Sequence, residues 1–180
     1  MIDLIALVDI HGDDLFRFAL SRVGDRSAAE DLVQDTFLAA HQARSSFEGK
    51  SSEKTWLLGI LKHKVMDYYR SQMRGMAAQI DPLADPDTEF SPQGHWNEVP
   101  KKWNPDAALD EKEFLVVLRR CLSNLPLLQR QAFMLREIDG FESEEICKKC
   151  EISTTNLWVL LHRARMKLRS CLEKSWFARS

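Results

Sequence analysis

The feature that most limits how this 180-residue chain can fold is a break in its middle. Residues 76–106 hold all but one of the prolines: Pro82, Pro86, Pro92, Pro100 and Pro105. Several Asp and two tryptophans, Trp96 and Trp103, are mixed among them, and no periodicity survives. Proline fixes φ and lacks a backbone donor, so a helix does not run through such a stretch. A connection this long is foreign to the inside of one compact domain. The chain therefore reads as two small domains, 1–75 and 109–180, joined by an extended linker over 76–108. Apolar residues make up 44% of it, enough for a real core.

Helical spacing runs on both sides of the break. Leu4, Leu7, Val8, Leu15 and Phe18 mark a first helix. Ser27 and Glu30 have the spacing of a capping box, with Asp31 adding charge to the first turn. They are expected to open a second helix with the stripe Leu32, Val33, Thr36, Phe37 and Ala40. Ser and Gly make 44–52 a loop, and 53–74 reads as a third helix, apolar at its start and basic towards its end. Spacing returns at Leu109, Phe114, Leu115, Leu118, Cys121 and Leu122. Pro126 starts another helix that stops at Asp139-Gly140, with Gly140 after its end. Ser143 is expected to cap a short helix and Ser153 a longer one, with a tight turn between them. Short helix, turn, longer basic helix is the helix-turn-helix pattern. The expected fold class is all-α: two small helical domains and a linker, the second domain with a helix-turn-helix.

Net charge is −2, which points to no partner, but its distribution is uneven. Residues 1–49 carry four Lys/Arg against nine Asp/Glu, and residues 50–75 carry six against two. Residues 76–113 carry three against nine, and residues 151–180 again six against two. Two basic blocks are thus separated by an acidic one. Basic blocks bind polyanions by releasing condensed counterions, though a solvated helix face has the same composition.

Within "ISTTNLWVLLHRARMKLR" (152–169), Leu157, Leu161, Ala164 and Leu168 form the expected buried stripe. Trp158, Val159, His162 and Arg163 then lie towards the other side, flanked by Arg165, Lys167 and Arg169. A basic C-terminal half suits phosphate contacts, while the N-terminal half enters a major groove.

Residues 122–172 resemble region 4 of bacterial sigma factors. The resemblance is carried by the Leu-Pro and Gln-Arg opening, "LRE" and "DG", the "EEI" helix and the "LHRAR" ending. Residues 25–74 resemble region 2, with "AEDLVQ", "TF" and "TWL" in order. Two regions and one linker is the layout of the extracytoplasmic-function class. The resemblance implies a non-catalytic subunit that binds core RNA polymerase and directs recognition and melting of promoter DNA. An anti-sigma factor is a further partner the family implies, and the acidic linker resembles the segment that threads the polymerase.

The implied polymerase face carries Glu30, Asp31, Gln34, Asp35 and Phe37, an acidic patch beside apolar side chains. The implied minus-10 element site comprises Phe47, Lys50, Ser51 and Ser52 in the loop and Lys62, His63, Lys64 and Arg70 on the third helix. Opening DNA there needs a pocket for a flipped base and cations for single-stranded phosphates. His63 stands where the family often has Asn, so base preference is expected to differ. Trp56 is expected in the core. The implied minus-35 element site comprises Thr154, Thr155, Asn156, Trp158, Val159, His162, Arg163 and Arg165. Trp158 and Val159 replace polar residues common in the family, and apolar contacts with thymine methyls or docking on a protein partner are both open to them.

No secretory leader and no membrane span are expected: the N-terminus is acidic, and the longest apolar run is about six residues around Trp56–Leu61. A cytoplasmic location follows, and with it four reduced cysteines, Cys121, Cys147, Cys150 and Cys171. Cys147 and Cys150 have the spacing of zinc and redox motifs, but no second such pair completes four ligands. They are expected to pack as small hydrophobes, with no metal or cofactor. Two other readings are a conventional helix-turn-helix regulator and a metal- or redox-responsive protein using Cys147 and Cys150.

Overall fold

The computed structural model describes residues 4–74 and 111–176, and every regular element in them is helical. The elements are α1 (Leu4–Val23), α2 (Arg26–Gln42), a 3₁₀ turn (Arg44–Ser46), α3 (Glu53–Arg74), α4 (Glu111–Ser123), α5 (Leu127–Phe133) continued by a π turn (Met134–Ile138), α6 (Ser143–Cys150) and α7 (Thr154–Ser175). The linker, with Trp96 and Trp103, and Leu109 just after it lie outside the described residues. The chain divides into two compact units, Met1–Gln72 and Met73–Ser180.

In the first unit α1 and α2 pack together across the turn Gly24-Asp25. Gly24 sits at φ +72, and its N–H closes on the Leu20 carbonyl at 2.9 Å. The reversal delivers Asp25 in extended conformation to the first free amides of α2, where its carboxylate accepts from Ala28 N–H at 2.7 Å. The expected capping box of Ser27 and Glu30 is therefore not what starts this helix. Asp is as good a cap as Ser, and the glycine turn presents it two residues earlier. Glu30 instead pairs with Arg26, one turn back, at 2.8 Å.

The core of this unit joins Leu7, Leu15 and Ala19 of α1, Leu32, Phe37 and Ala40 of α2, and Leu57, Leu61, Val65, Met66 and Tyr69 of α3. Each such aliphatic side chain is worth about 1.5–3 kcal/mol against exposure. Tyr69 meets the polar demand of its burial by donating to the Arg22 carbonyl at 3.0 Å, which ties α3 to the end of α1. At the other end Lys54 donates to Asp14 at 2.5 Å. That ammonium holds the Asp14 carboxyl below its usual 3.8.

The second unit is organised around α7, whose buried residues are Leu157, Leu160, Leu161, Ala164, Leu168 and Leu172. Their steps of three and four residues make one continuous stripe. α5, α4 and α6 all pack on it. α5 ends in a π turn closed by Asp139 N–H to the Met134 carbonyl at 2.8 Å. Gly140 (φ +79) then reverses the chain, and Arg136 fixes the turn by donating to the Phe141 carbonyl at 3.0 Å.

Ser143 does not cap α6: the N-cap is Glu142, without a side-chain bond, and Ser143 is already helical. Glu144 and Glu145 in the first turn supply the negative charge that a helix start favours. Between α6 and α7 the turn passes through Glu151 in the left-handed region at φ 57. Ser153 caps α7 as expected, accepting from Asn156 N–H at 3.1 Å.

One expectation fails outright. Cys121 of α4 and Cys171 of α7 are joined in a disulfide, Cα to Cα 5.8 Å, so the four cysteines are not all thiols. Each sulfur belongs to an apolar stripe, and packing α4 on α7 brings them together across 50 residues of sequence. No spacing rule could have paired them.

Candidate nucleic-acid interface

On α7 the residues Thr155, Trp158, Val159, His162 and Arg163 follow one another at +3, +4, +7 and +8, so they share a face away from the buried stripe. Thr154 and Thr155 are exposed in the first turn, directly after the Ser153 cap. Asn156, Trp158, Val159, His162 and Arg163 are half-buried. Leu160 joins the core, which the stripe read from sequence had omitted although it lies three residues from Leu157. The N-terminal half of α7 is thus a rigid ridge with hydroxyls at its tip and an indole, an imidazole and a guanidinium along its side. Such a ridge fits a major groove.

The basic end of α7 is partly engaged within the fold. Arg165, only 16% exposed, bonds Glu137 of the π turn at 2.5 Å. Arg169 pairs with Glu173 at 2.8 Å. Lys167 is exposed. Arg165, singled out for DNA contact, therefore also braces the π turn against α7.

Cys150 is fully buried and Cys147 half-buried. Burial pushes the Cys147 thiol up, and a hydrogen bond with Thr154 pulls it partly back. A thiol held protonated is a poor ligand and nucleophile. Cys171, the remaining cysteine that could have completed a ligand set, is bonded to Cys121. Among the described residues no group of three His, Cys, Asp or Glu side chains is placed to hold a metal.

In the first unit, Glu30, Asp31, Gln34 and Asp35 are exposed along α2. Phe37 is not beside them but turned inward at 7% exposure; the exposed apolar neighbour is Leu38, at 57%. Spacing carries this distinction, since Phe37 belongs to the buried series Ala29, Leu32, Thr36 and Ala40 and Leu38 leaves it. A groove of about 540 Å³ runs between α1 and α2, lined by Val8, Phe16, Val33, Phe37, Glu30 and Gln34 among others.

The loop before α3 is held by Phe47 against Trp56, ring centroids 4.9 Å apart. Trp56 is half-buried, not a full core residue: it closes the edge of the core while carrying the loop. Lys50 pairs with Glu48 across Gly49, whose φ of +69 makes the bend. Ser51 and Ser52 are exposed, and Ser52 is also the cap of α3, accepting from Thr55 N–H at 3.1 Å. On α3 His63 is exposed, while Lys62, Lys64 and Arg70 are half-buried. The two flanks of this site, loop and helix, are therefore joined through one capping serine and one aromatic pair.

Among the described residues no helix is long and apolar enough to cross a membrane.

Comparison with known proteins matches residues 7–75 to Sigma-70 region 2 and residues 115–168 to Sigma-70, region 4. A probable RNA polymerase sigma factor of Haemophilus influenzae is 36% identical over 169 residues, covering 89% of this chain and 84% of the relative. The ECF RNA polymerase sigma factor SigX of Bacillus subtilis is 29% identical over 93% of this chain and 82% of its own. The ECF RNA polymerase sigma-E factor of Escherichia coli is 29% identical over 81% and 74%. A solved complex of the sigma factor RpoE with the anti-sigma factor NepR from Bartonella quintana aligns over 96% of this chain and 98% of that one, at TM-score 0.45 and 28% identity.

Proposed function

This chain belongs to the sigma-70 family of RNA polymerase sigma factors, in the extracytoplasmic-function class, and on that premise we propose how its residues divide the work. It is a transcription initiation factor whose partners are RNA polymerase and promoter DNA. We assign it no catalytic step of its own; it acts in the cytoplasm, where the polymerase is, and is held in check by an anti-sigma protein.

Polymerase binding falls to the outer face of α2: Glu30, Asp31, Gln34 and Asp35, with Leu38 taking the apolar role first given to Phe37. Acidic side chains around an exposed leucine suit a basic partner helix. Minus-10 recognition falls to the loop and α3. Phe47 on Trp56 offers an aromatic shelf next to Lys50, Ser51 and Ser52, while Lys62, His63, Lys64 and Arg70 line the helix. A splayed base stacks on such a shelf at about 1–3 kcal/mol. Minus-35 recognition falls to α7. Thr154, Thr155, Asn156, His162 and Arg163 supply hydrogen bonds, Trp158 and Val159 apolar contact with thymine methyls, and Arg165 a phosphate contact.

The observation that carries this reading is the order of the two matched regions in one chain: an acid-faced and a basic helix first, a helix-turn-helix second. Run-off transcription with core polymerase tests it. Initiation from a defined set of promoters is expected, and no initiation at any promoter would overturn it. Asp35→Arg is expected to lower polymerase capture at least tenfold; unchanged capture would remove α2 from the interface.

A further inference from the structure

The bond between Cys121 and Cys171 is at odds with the compartment in which a polymerase subunit works. Thiols there are kept reduced, and a disulfide that does form is more often transient and sensing than structural. Its two sulfurs are unequal. Cys121 is 1% exposed at the end of α4, whereas Cys171 is half-buried on α7, at the edge of the same cluster. Lys167 and Lys174 lie four residues before and three after Cys171, one helical turn away on the same face. A sulfur at the edge of the core, with a lysine one turn away on either side and a fully buried partner behind it, is the arrangement of an attacking thiol and a resolving thiol.

The bond also joins the two helices where it has most leverage. α4 is a 13-residue helix whose packing is chiefly on α7. Its attachment consists of Cys121, with Phe114, Val117, Leu118 and Leu122, against the cluster that holds Ala164, Leu168 and Leu172, and Phe114 stands edge-on to Trp176 at 5.5 Å. Leu115 and Val116 remain exposed on its outer side. A helix of that length has little stability of its own. α5 and α6 make contacts of their own with α7, so the reading face does not rest on the bond alone.

We propose that Cys121 and Cys171 are a reversible peroxide-oxidised pair whose disulfide locks α4 onto α7. The Cys171 thiolate attacks one oxygen of the peroxide; the O–O bond breaks and the departing hydroxide is protonated to water, leaving a sulfenic acid. The Cys121 thiolate attacks that sulfur; the S–O bond breaks and a second hydroxide leaves as water. The two protons come from the two thiols. Both thiols are oxidised by one electron each, and the peroxide is reduced to two waters. A dithiol reverses the bond by two exchanges and becomes a disulfide itself. This is a different pair from Cys147 and Cys150, and it leaves the sigma-factor function in place. The inference rests on that function only for the reducing surroundings.

The test uses the full chain, reduced with dithiothreitol, freed of it, and exposed to hydrogen peroxide. Alkylation after unfolding, mapped by mass spectrometry, is expected to show Cys121 and Cys171 losing label together while Cys147 and Cys150 keep it. Dithiothreitol is expected to restore both. Hydrogen exchange in α4 is expected to slow at least tenfold on oxidation, with α6 and the first turns of α7 unchanged. Cys121→Ser and Cys171→Ser should each erase that difference and Cys147→Ser should retain it; the wild type in its two states gives the same comparison should a variant not fold. Three outcomes overturn the proposal: no peroxide coupling, a bond that dithiothreitol cannot open in the native protein, or equal α4 exchange in both states. Run-off transcription in each state separates the two readings. Transcription without thiol cycling rejects the redox pair alone, and thiol cycling without transcription in either state rejects the sigma function alone.

Discussion

α3 and α7 are both 22 residues long, and both turn a continuous apolar stripe inward. α3 buries Leu57, Leu61, Val65, Met66 and Tyr69; α7 buries Leu157, Leu160, Leu161, Ala164, Leu168 and Leu172. What separates them is the chain in front of each and the face opposite each stripe. α7 begins abruptly after Glu151, Ile152 and the Ser153 cap, with Thr154 and Thr155 exposed in its first turn. α3 begins after a loop that Phe47 and Trp56 hold against its own first turns. On the proposed function, the exposed start of α7 is the part that enters a duplex groove, and α3 with the loop along its start is the part that holds a splayed strand.

The largest expected effect breaks the comparison at its one covalent difference. Opening Cys121–Cys171 removes a cross-link spanning 50 residues, worth about 4 kcal/mol by chain entropy, from the α7 unit alone. Denaturant unfolding with and without dithiothreitol reads it; equal midpoints would mean the bond does not constrain the unfolded chain. The next effect should treat the helices alike. Leu61→Ala and Leu161→Ala each remove a fully buried side chain, and each is expected to cost about 3 kcal/mol in its own unit. A cost under about 1 kcal/mol in either would show that stripe to be loosely packed.

Trp158→Ala and His63→Ala sharpen the functional contrast. With holoenzyme, Trp158→Ala is expected to weaken binding to a minus-35 duplex roughly tenfold, about 1.4 kcal/mol, while His63→Ala affects only opened minus-10 DNA. Unchanged duplex affinity for Trp158→Ala would assign the indole to a protein partner. Ser153→Ala and Ser52→Ala remove equivalent caps and should each cost about 1 kcal/mol. A cap whose loss leaves thermal unfolding unchanged would show its helix start to be held from elsewhere.

The smallest effect is an acid-side pH dependence in the α3 unit. The Asp14 carboxyl is depressed by its hydrogen bond from Lys54, so this contribution is present above pH 3.8 and lost as pH falls through the lower folded value. Lys54→Ala should flatten that part of an acid titration of stability, and an unaltered profile would show the pair contributes nothing.

Much of this architecture is legible without coordinates, because it depends on residues close in sequence. The 3.6-residue period placed α2, α3 and α7, and the Ser153 cap and the Gly140 stop needed only local rules. Local rules fail where two local solutions compete. Asp25 and Ser27 are both good caps, and only the left-handed turn at Gly24 selects Asp25. The period itself put Phe37 in the stripe and left Leu38 outside it, against the surface role given to Phe37, and it reaches Leu160, three residues after Leu157, which the expected stripe omitted.

Spacing on one helix is enough to bring Trp158, Val159, His162 and Arg163 to one face, and they share it in three dimensions; the candidates on the loop and α3 came only with the family resemblance. Three features had no sequence signal at all: the Arg165–Glu137 pair, the aromatic shelf of Phe47 on Trp56, and the Cys121–Cys171 bond. By itself the sequence determined which segments are helices, which face of each is apolar, and the family. Tertiary structure alone decided which cations remain exposed and which cysteines meet. The reason is range: helix formation is settled within a turn or two of chain, whereas a partner 28 or 50 residues away exists only once the stripes have packed.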